Sequence, residues 1–256
     1  MHAYSLMYHD VVAQPATSGF QGGWADYYKI DPQAFAAHLD AIGAVSQSGI
    51  GGLVTMPWQS PAVFITFDDG GASSLDAARL LEQHGWRGHF FIATDYIGRP
   101  GFLTESQLAE LARRGHCIGS HGVSHPARMS ACSSRELDHE WQTSARILAE
   151  ILGQPVTTAS VPGGYYSRDV GAAADRAGLR FLFTSEPTSR LEHEGTCTIL
   201  GRYYIRRGTP ASAAASFAGG SRWARLRQSS GWTCKKLAKA AGGPLYLRVA
   251  ARIRER

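Results

Sequence analysis

Short apolar runs alternate with longer amphipathic stretches along most of this chain. The apolar runs are rich in β-branched and aromatic residues, a pattern typical of buried strands. They predict strands at Ala3–Tyr8, Ala62–Phe67, Gly88–Ala93, Cys117–Ser120, Thr157–Val161, Arg180–Thr184 and Ile199–Ile205. The stretches between them predict helices at Pro32–Gln47, Ser74–Gln83, Thr104–Arg114, Ser133–Leu152 and Arg168–Ala177.

Several residues mark the ends of these helices. Asp31 precedes Pro32, which gives an N-cap followed by proline at the first helical position. Thr104 stands three residues before Gln107, the spacing of a capping box. Glycines follow the helical runs at positions that favour a left-handed residue: Gly85, Gly115, Gly153 and Gly178.

The alternation of strand and helix predicts an α/β fold with a parallel sheet, either open or closed into a barrel. The chain has 256 residues, of which 44% are hydrophobic, enough for one sizeable core. In such folds the functional side chains gather at the C-terminal ends of the strands. Candidate catalytic residues are therefore expected where each strand ends.

Positive charge is concentrated at the end of the chain. The net charge is +5, and from Arg202 onward the only acidic residue is Glu255. The segments Arg222–Lys239 and Leu245–Arg256 have the pattern of basic helices, with tryptophans among the cations of the first. Such a tail is typical of proteins that bind a phosphate-bearing partner, and the tryptophans indicate that this partner is a membrane surface. We expect a basic helical extension over residues 211–256 that contacts a membrane peripherally, with a solvated or disordered tail as the alternative.

Other function classes find no support in the sequence. No helix-turn-helix, zinc-finger or RNA-binding signature accompanies the basic tail, so no nucleic-acid partner is expected. None of the four cysteines lies in a C-x-x-C pair, which argues against a zinc knuckle. The N-terminus lacks the pattern of a signal peptide, and no run of eighteen apolar residues occurs. We expect a cytoplasmic protein, peripheral to the inner face of the membrane.

Two adjacent carboxylates, Asp68 and Asp69, follow the second predicted strand and precede Gly70. A bound cation or a shared proton would relieve their mutual repulsion. Because successive strand residues point in opposite directions, the two aspartates need not perform the same task. The alternative is a solvated turn, for which Asp-Asp-Gly is also suitable.

Two histidines, His121 and His125, follow the fourth predicted strand in the sequence Ser-His-Gly-Val-Ser-His-Pro. Their spacing places both imidazoles on one face of a helical turn, where they can bind one metal ion. Taken alone, such a pair is better explained as two unrelated loop histidines. Combined with the two aspartates, it supplies the ligands of an open catalytic metal site and leaves one carboxylate as a base.

These motifs resemble the first two signature motifs of the NodB-type polysaccharide deacetylases, carbohydrate esterase family 4. The resemblance rests on Thr-Phe-Asp-Asp-Gly at 66–70 and on residues 120–126, and it extends over about Tyr4–Ile205. It implies a distorted (β/α) barrel of about seven parallel strands over residues 1–210. It also implies hydrolytic removal of an acyl group, above all acetyl, from the nitrogen of an amino sugar in a polysaccharide or glycolipid.

The resemblance implies roles for individual residues of these two motifs. Asp69, His121 and His125 would bind a divalent metal, zinc or another first-row ion. Asp68 would be the general base that activates water. Gly70 would let the backbone turn closely past the site.

A third family motif is partly present. The N–H of Gly163, which follows Pro162, would stabilise the oxyanion. Pro162 and the two tyrosines that follow the glycines, Tyr165 and Tyr166, are candidates for contact with substrate in the groove. Many members carry an arginine just before this motif that orients the base, and here the matching residue is Ser160.

The late leucine–histidine motif that usually supplies the general acid is absent, and residues 199–203 occupy its place. In one branch, the poly-N-acetylglucosamine deacetylases, the acid is a histidine in a Tyr-His context at the end of the first strand. His9 stands at that place, so the resemblance implies His9 as the acid, with Asp10 orienting it or contacting substrate. A structural role for His9, with His193 as a substitute acid, is the alternative. The two departures also leave open a second function, that of a carbohydrate-binding relative without turnover.

Overall fold

Nine strands form one sheet in the part of the chain that this computed structural model describes, residues 2–45, 50, 62–226 and 228–230. The strands are β1 (Ala3–Tyr8), β2 (Ala62–Phe67), β3 (His89–Ile92), β4 (Cys117–Ser120), β5 (Thr158–Ser160), β6 (Phe181–Phe183), β7 (Leu191–Glu194), β8 (Cys197–Leu200) and β9 (Arg202–Tyr204). The helices are α1 (Gly23–Asp26), α2 (Pro32–Val45), α3 (Ser74–Gln83), α4 (Glu105–Arg113), α5 (Ser134–Leu152), α6 (Arg168–Arg176) and α7 (Ala211–Ala218).

The sheet is parallel except for one edge strand, β7, which pairs with β8 in the antiparallel direction. The strand order is β7-β8-β6-β5-β4-β3-β2-β1-β9, so β8 pairs with β6 near one end and β9 pairs with β1 at the other. Only Gly201 separates β8 from β9. One continuous stretch of chain therefore joins both ends of the sheet and closes it into a distorted barrel. The predicted α/β fold with a parallel sheet is confirmed.

The break between β8 and β9 requires a glycine. A Cβ atom at Gly201 would lie 2.3 Å from the carbonyl oxygen of Glu186 and 2.5 Å from Cγ2 of Thr188. The chain can pass this close to the segment after β6 only without a side chain. The sequence predicted a single strand over this stretch because its apolar pattern continues across the glycine.

Alternate residues of the strands face two separate cores. Ile65 and Phe67 of β2 pack in the largest core, with the apolar faces of the helices, whereas Phe64 packs in a smaller one with phenylalanines of β3 and β6. A strand that is buried on both sides has no polar side, which explains the continuous apolar runs in the sequence. The same alternation makes Asp68 and Asp69, the next two residues, leave the strand in different directions.

Residues with the capping patterns described above lie at the starts and ends of several helices. Thr104 and Gln107 form a capping box at α4, and Ser133 and Glu136 form a second one at α5. Asp31 accepts the backbone N–H of residue 33 at the start of α2. The four predicted C-terminal glycines have φ between 68° and 87°: Gly85, Gly115, Gly153 and Gly178.

Helix α7 lies beyond the domain boundary that was predicted at residue 210. The sequence assigned everything from residue 211 to an extension, but Ala214, Phe217 and Ala218 lie in the largest core with residues of α2 and β1. Helix α7 is therefore part of the barrel domain. Residues 222–226 and 228–230 are also helical, and Trp223 is 84% exposed. The rest of the predicted basic helices lies outside the described residues.

Helix α1 and strand β7 were not predicted from the sequence. Helix α1 has only four residues, and β7 is a largely exposed edge strand without an apolar run. None of the helices in the described ranges is long and apolar enough to cross a membrane. Cys117, Cys132 and Cys197 are free thiols.

Candidate active site

Three side chains of ligand type meet at the carboxyl ends of β2 and β4. Asp69 follows β2, and His121 and His125 follow β4. The Nε2 atoms of His121 and His125 lie 3.4 Å and 3.3 Å from Oδ1 of Asp69. The three ligand atoms all lie within 4.8 Å of one another. The residues that the sequence predicted as metal ligands are thus brought together, and His125 is the most exposed of them.

The backbone is strained at two of these three residues. Asp69 has a φ of 79° and His125 a φ of 57°, and no other non-glycine residue in the described ranges has a positive φ. Such conformations cost about 1–3 kcal/mol each and persist where the surrounding structure enforces them, often at functional sites. Gly70 and Gly122, which follow two of the ligands directly, also have positive φ. The fold accepts local strain in order to aim three side chains at one point.

The hydrogen bonds of His121 determine which nitrogen faces Asp69. Nδ1 lies 3.0 Å from the carbonyl oxygen of Ser160 and 2.6 Å from its Oγ. Because a carbonyl oxygen only accepts, Nδ1 carries the proton, and in the neutral imidazole Nε2 presents its lone pair to Asp69. Two acceptors that face each other need a cation or a proton between them. Two imidazole nitrogens and one carboxylate oxygen are a donor set that fits zinc or another first-row divalent ion.

The pKa shifts within the cluster also favour positive charge at this point. Burial alone would raise the pKa of Asp69, but His121 and His125, which donate hydrogen bonds to it when Nε2 is protonated, hold it well below its usual value. Burial alone would lower the pKa of His125, but the hydrogen bond and the charge of Asp69 outweigh it and raise that pKa. The site therefore stabilises an ionised carboxylate beside a positive charge, which a bound cation would also supply.

Asp68 has a different set of partners, although it is the next residue in the chain. Nη1 and Nη2 of Arg202 donate to its Oδ1 and Oδ2 at 2.6 Å and 2.8 Å, and Oγ of Ser160 donates to Oδ1 at 3.0 Å. Burial alone would raise the pKa of Asp68, but the charges of Arg202 and His121 hold it below its usual value. An ionised carboxylate in a fixed orientation is suited to accept a proton from water.

Arg202 is the residue of the site that sequence reasoning missed. It is fully buried on β9, and its guanidinium also donates to the carbonyl oxygen of Thr184 and to Oγ1 of Thr66. The resemblance placed the orienting arginine at position 160 and found Ser160, so Asp68 was expected to lack an arginine. That expectation is wrong, because closure of the barrel brings β9 to the end of β2. One signal was present: Arg202 is the single charged residue in the apolar stretch 197–205.

His9 follows β1 at the same rim of the barrel. Its ring stacks on Tyr28 with the centroids 4.6 Å apart. Its positive charge, when it is protonated, makes a smaller contribution to lowering the pKa of Asp68 and of Asp69. Its buried Nδ1 has no hydrogen-bond partner among the described residues. The role of His9 as the general acid stays a prediction.

Asp10 is held in a structural network instead of turning toward His9. Its Oδ1 accepts the hydroxyl groups of Ser18 and Ser73 at 2.5 Å and 2.7 Å, and the residue is 3% exposed. A Cβ atom at Gly71 would lie 2.0 Å from the same oxygen. These contacts tie the loop after β1 to the start of α3. They do not support the prediction that Asp10 orients His9 or contacts substrate.

The proline–glycine motif lies beside the loop that carries His125. Gly163 is exposed and has a φ of 64°, and a Cβ there would lie 2.5 Å from the carbonyl oxygen of Ala127. Pro162 is buried, with its Cγ 3.6 Å from the point where a Cβ on Gly122 would lie. The backbone at Gly163 is thus next to the predicted metal ligands, as an oxyanion donor would have to be.

The two tyrosines that follow this motif are placed differently. Tyr165 lies under the guanidinium of Arg128, 5.3 Å from its ring centroid. Tyr166 packs against a third core between α5 and α6, and its hydroxyl is buried. The prediction that Tyr166 contacts substrate is not supported by this packing. His193, the substitute acid, lies exposed on β7 with Nδ1 3.4 Å from Oγ1 of Thr198, and it does not join the cluster.

Comparison with known proteins gives the same family as the motifs. Residues 56–182 match the family model described as polysaccharide deacetylase. The chain is 30% identical over 152 residues to YxkH of Bacillus subtilis, which covers 59% of this chain and 54% of that protein. It is 30% identical over 121 residues to the chitooligosaccharide deacetylase of a Bradyrhizobium strain, covering 46% of this chain and 53% of that protein. The chain spans about half the length of these curated relatives.

The fold is shared with solved structures. IcaB from Ammonifex degensii superposes with a TM-score of 0.67 over 88% of this chain and 97% of that chain, at 21% sequence identity. At this identity the likeness concerns the fold alone. The matched family model and the curated relatives add the sequence evidence, and the chain contains a domain of the polysaccharide deacetylase family.

Proposed function

We propose that this protein removes acetyl groups from the nitrogen of amino sugars, with a divalent metal held by Asp69, His121 and His125. The observation that carries the proposal is the division between two adjacent aspartates. Asp69 lies 3.3–3.4 Å from two imidazole nitrogens, while Asp68 is bound by a guanidinium at 2.6 Å and 2.8 Å. One carboxylate is arranged to bind a cation and the other to act as a base, as metal-assisted hydrolysis requires.

A divalent ion bound by these three residues would act as a Lewis acid, which makes a water molecule more acidic and polarises the amide carbonyl. Asp68 takes the proton of the attacking water. The N–H of Gly163 stabilises the negative charge that develops on the carbonyl oxygen. His9 donates a proton to the departing amine, because a sugar amine is a poor leaving group unless it is protonated.

The substrate class is a further part of the proposal. The Bradyrhizobium relative is named a chitooligosaccharide deacetylase, and this name supports N-acetylated amino sugars as the substrate. Within the class we favour an N-acetylglucosamine polymer or glycolipid, because the acid candidate stands at the end of β1, as the resemblance to the poly-N-acetylglucosamine branch implies.

Acetate release from N-acetylglucosamine oligosaccharides tests the proposal. The protein is stripped with a chelator, dialysed and assayed before and after addition of zinc, cobalt or manganese. We expect no turnover by the stripped protein and recovery with at least one of these ions. Full activity of the stripped protein would exclude the mechanism.

The structure weakens the argument for the second candidate function, that of a carbohydrate-binding relative without turnover. It was suggested by the missing arginine and the missing late histidine, and Arg202 supplies an arginine to Asp68. If the metal-loaded protein binds the oligosaccharides in calorimetry but releases no acetate, the binding function is the correct one.

We further infer from the sequence that the basic tail docks the protein on anionic membranes at the cytoplasmic face. Each Lys or Arg near such a surface contributes about 1 kcal/mol. Because α7 belongs to the barrel core, truncation after Ser230 is chosen, which leaves α7 intact and removes the seven Lys and Arg residues beyond that point. The truncated chain should lose binding to anionic vesicles and keep its acetate release; equal vesicle binding by both chains would reject the idea.

A further inference from the structure

The loop from His121 to His125 has a backbone conformation that needs support from neighbouring residues. Residues 121–125 lie outside helices and strands. Gly122 has a φ of 76° and His125 a φ of 57°, and the second value is unfavourable for a side chain other than glycine. A loop with such a backbone stays in one conformation only when neighbouring groups enforce it.

Glu140 on α5 supplies this support. Its Oε2 accepts the backbone N–H groups of Val123 and Ser124 at 2.6 Å and 3.1 Å, and its Oε1 accepts the hydroxyl of Ser124 at 2.6 Å. A single carboxylate thus binds the two residues in the middle of the loop. The loop also fits closely around it, since a Cβ on Gly122 would lie 2.7 Å from Oε2.

A second contact from the same helix holds the start of the loop. Ser144, one turn further along α5, is hydrogen-bonded through its hydroxyl to Ser120. Oγ of Ser120 in turn accepts the N–H of Gly122 at 3.1 Å. Helix α5 therefore fixes the loop at two points, and Glu140 is the charged one.

The chemistry of Glu140 is unusual for a residue that serves stability alone. It is 6% exposed, and within the described part of the chain it forms no ion pair with a lysine or arginine. Burial of an unpaired carboxylate is costly unless hydrogen bonds replace its water, and here all the replacing donors belong to the loop between His121 and His125.

We propose that Glu140 is a positioning residue that sets the spacing of His121 and His125 for the metal ion. The inference rests on the proposed function, because it assumes a cation at Asp69, His121 and His125. Residues that orient metal ligands through hydrogen bonds typically change metal affinity by about 10- to 100-fold when they are replaced. Glu140 acts on the backbone between the ligands, whereas Ser160 acts on the imidazole of His121 directly.

The test compares Glu140→Gln with a matched control on the same helix, Glu150→Gln. Glu150 is 64% exposed, and its one ion pair within the described ranges is with Arg146 of its own helix. We measure the zinc dissociation constant by competition with a chromogenic chelator, the visible spectrum of the cobalt-substituted protein, and the melting temperature of the metal-free protein. Glu140→Gln should bind zinc about 10- to 100-fold more weakly and show an altered cobalt spectrum. Glu150→Gln should match the wild type in all three.

The melting temperature separates positioning from general stability. A purely structural role would lower the melting temperature of the metal-free protein and leave the zinc affinity of the folded fraction unchanged, and this result would overturn the proposal. If the wild type itself binds no zinc or cobalt, or binds it equally well with Asp69→Ala, the proposed metal function is what fails, and this inference falls with it.

A milder variant keeps the test valid if Glu140→Gln does not fold. Ser124 is exposed, and Ser124→Ala removes only the hydroxyl that donates to Oε1. It should weaken zinc binding by about threefold, roughly the effect of one hydrogen bond. Unchanged zinc affinity in Ser124→Ala, with Glu140→Gln unfolded, would overturn the proposal.

Discussion

Asp68 and Asp69 are neighbours in sequence, but they belong to two differently built halves of the site. The Asp69 half lies in loops after β2 and β4, has strained backbone at two residues and contains imidazoles as partners. The Asp68 half lies within the barrel, where Arg202 is fully buried and satisfies both carboxylate oxygens. The pKa of each carboxyl is lowered, that of Asp69 by imidazoles whose protons a metal ion can replace and that of Asp68 by a permanent cation.

This difference explains how adjacent identical side chains can perform different tasks. An imidazole nitrogen can release its proton and bind a metal ion, so a proton between Asp69 and an imidazole can be exchanged for a metal ion. A guanidinium stays charged and binds a carboxylate through two parallel hydrogen bonds, so Asp68 is kept out of the metal's coordination and in one orientation. The next four predictions test this division, from the largest expected effect to the smallest.

Asp69→Ala should have the largest effect, because it removes the only anionic ligand of the cluster. We expect the bound metal to fall to background and acetate release to become undetectable. Metal content by mass spectrometry and acetate release are measured together. Asp76→Ala is the control, since Asp76 is exposed on α3 and, among the described residues, forms an ion pair only with Arg79, so neither quantity should change. Full metal content in Asp69→Ala would disprove the assignment of the two halves.

Asp68→Asn should abolish the base and spare the metal. The substituted side chain keeps its shape, and the three metal ligands remain in place. We expect normal metal content with kcat lower by about 100- to 10,000-fold. An empty metal site with normal turnover per bound metal would show that the roles of the two aspartates are reversed.

His9→Phe tests the acid that stands beside both halves. Phenylalanine can still stack on Tyr28, so the fold and the metal site should be preserved. Hydrolysis of the sugar amide should slow by about 100-fold, while an activated aryl acetate, whose leaving group needs no proton, should be affected much less. His193→Phe is the matched control and should leave both rates unchanged. Equal loss on both substrates would mean that His9 is structural.

Arg202→Lys should have the smallest effect on turnover, because it keeps the charge beside Asp68 but loses the paired hydrogen bonds. We expect kcat to fall by about tenfold. The pH–rate profile gives a second measure. Arg202 lowers the pKa of Asp68 against the opposing effect of burial, so weaker pairing lets burial raise that pKa, and the acid limb should move to higher pH. An acid limb at the wild-type position would show that Arg202 does not set the ionisation of Asp68.

The strands, the helices and the grouping of Asp69, His121 and His125 could be predicted from local pattern. Strand residues such as those of β2 are buried on both faces, so their apolar run is visible without any knowledge of their neighbours. The capping box at α4 depends on residues three apart and was predicted, whereas the box at α5, with the same spacing, was found only in the structure. Asp69, His121 and His125 could be grouped because parallel strands present their carboxyl ends at one rim.

The hydrogen-bond partners of Asp68, of the loop between His121 and His125, and of Asp10 could not be predicted. Arg202 and Asp68 are 134 positions apart, and they meet only because β9 pairs with β1 and closes the sheet. Glu140 contacts the loop between His121 and His125 because α5 packs on β4. Asp10 is hydrogen-bonded to two serines, Ser18 and Ser73, that lie apart from it in sequence. The sequence by itself determined which ligand-type residues stand at the strand ends, because hydrophobic alternation and turn chemistry are local. Only the tertiary structure decided which charge each carboxylate faces, because electrostatic partners are selected by distance in space and not along the chain.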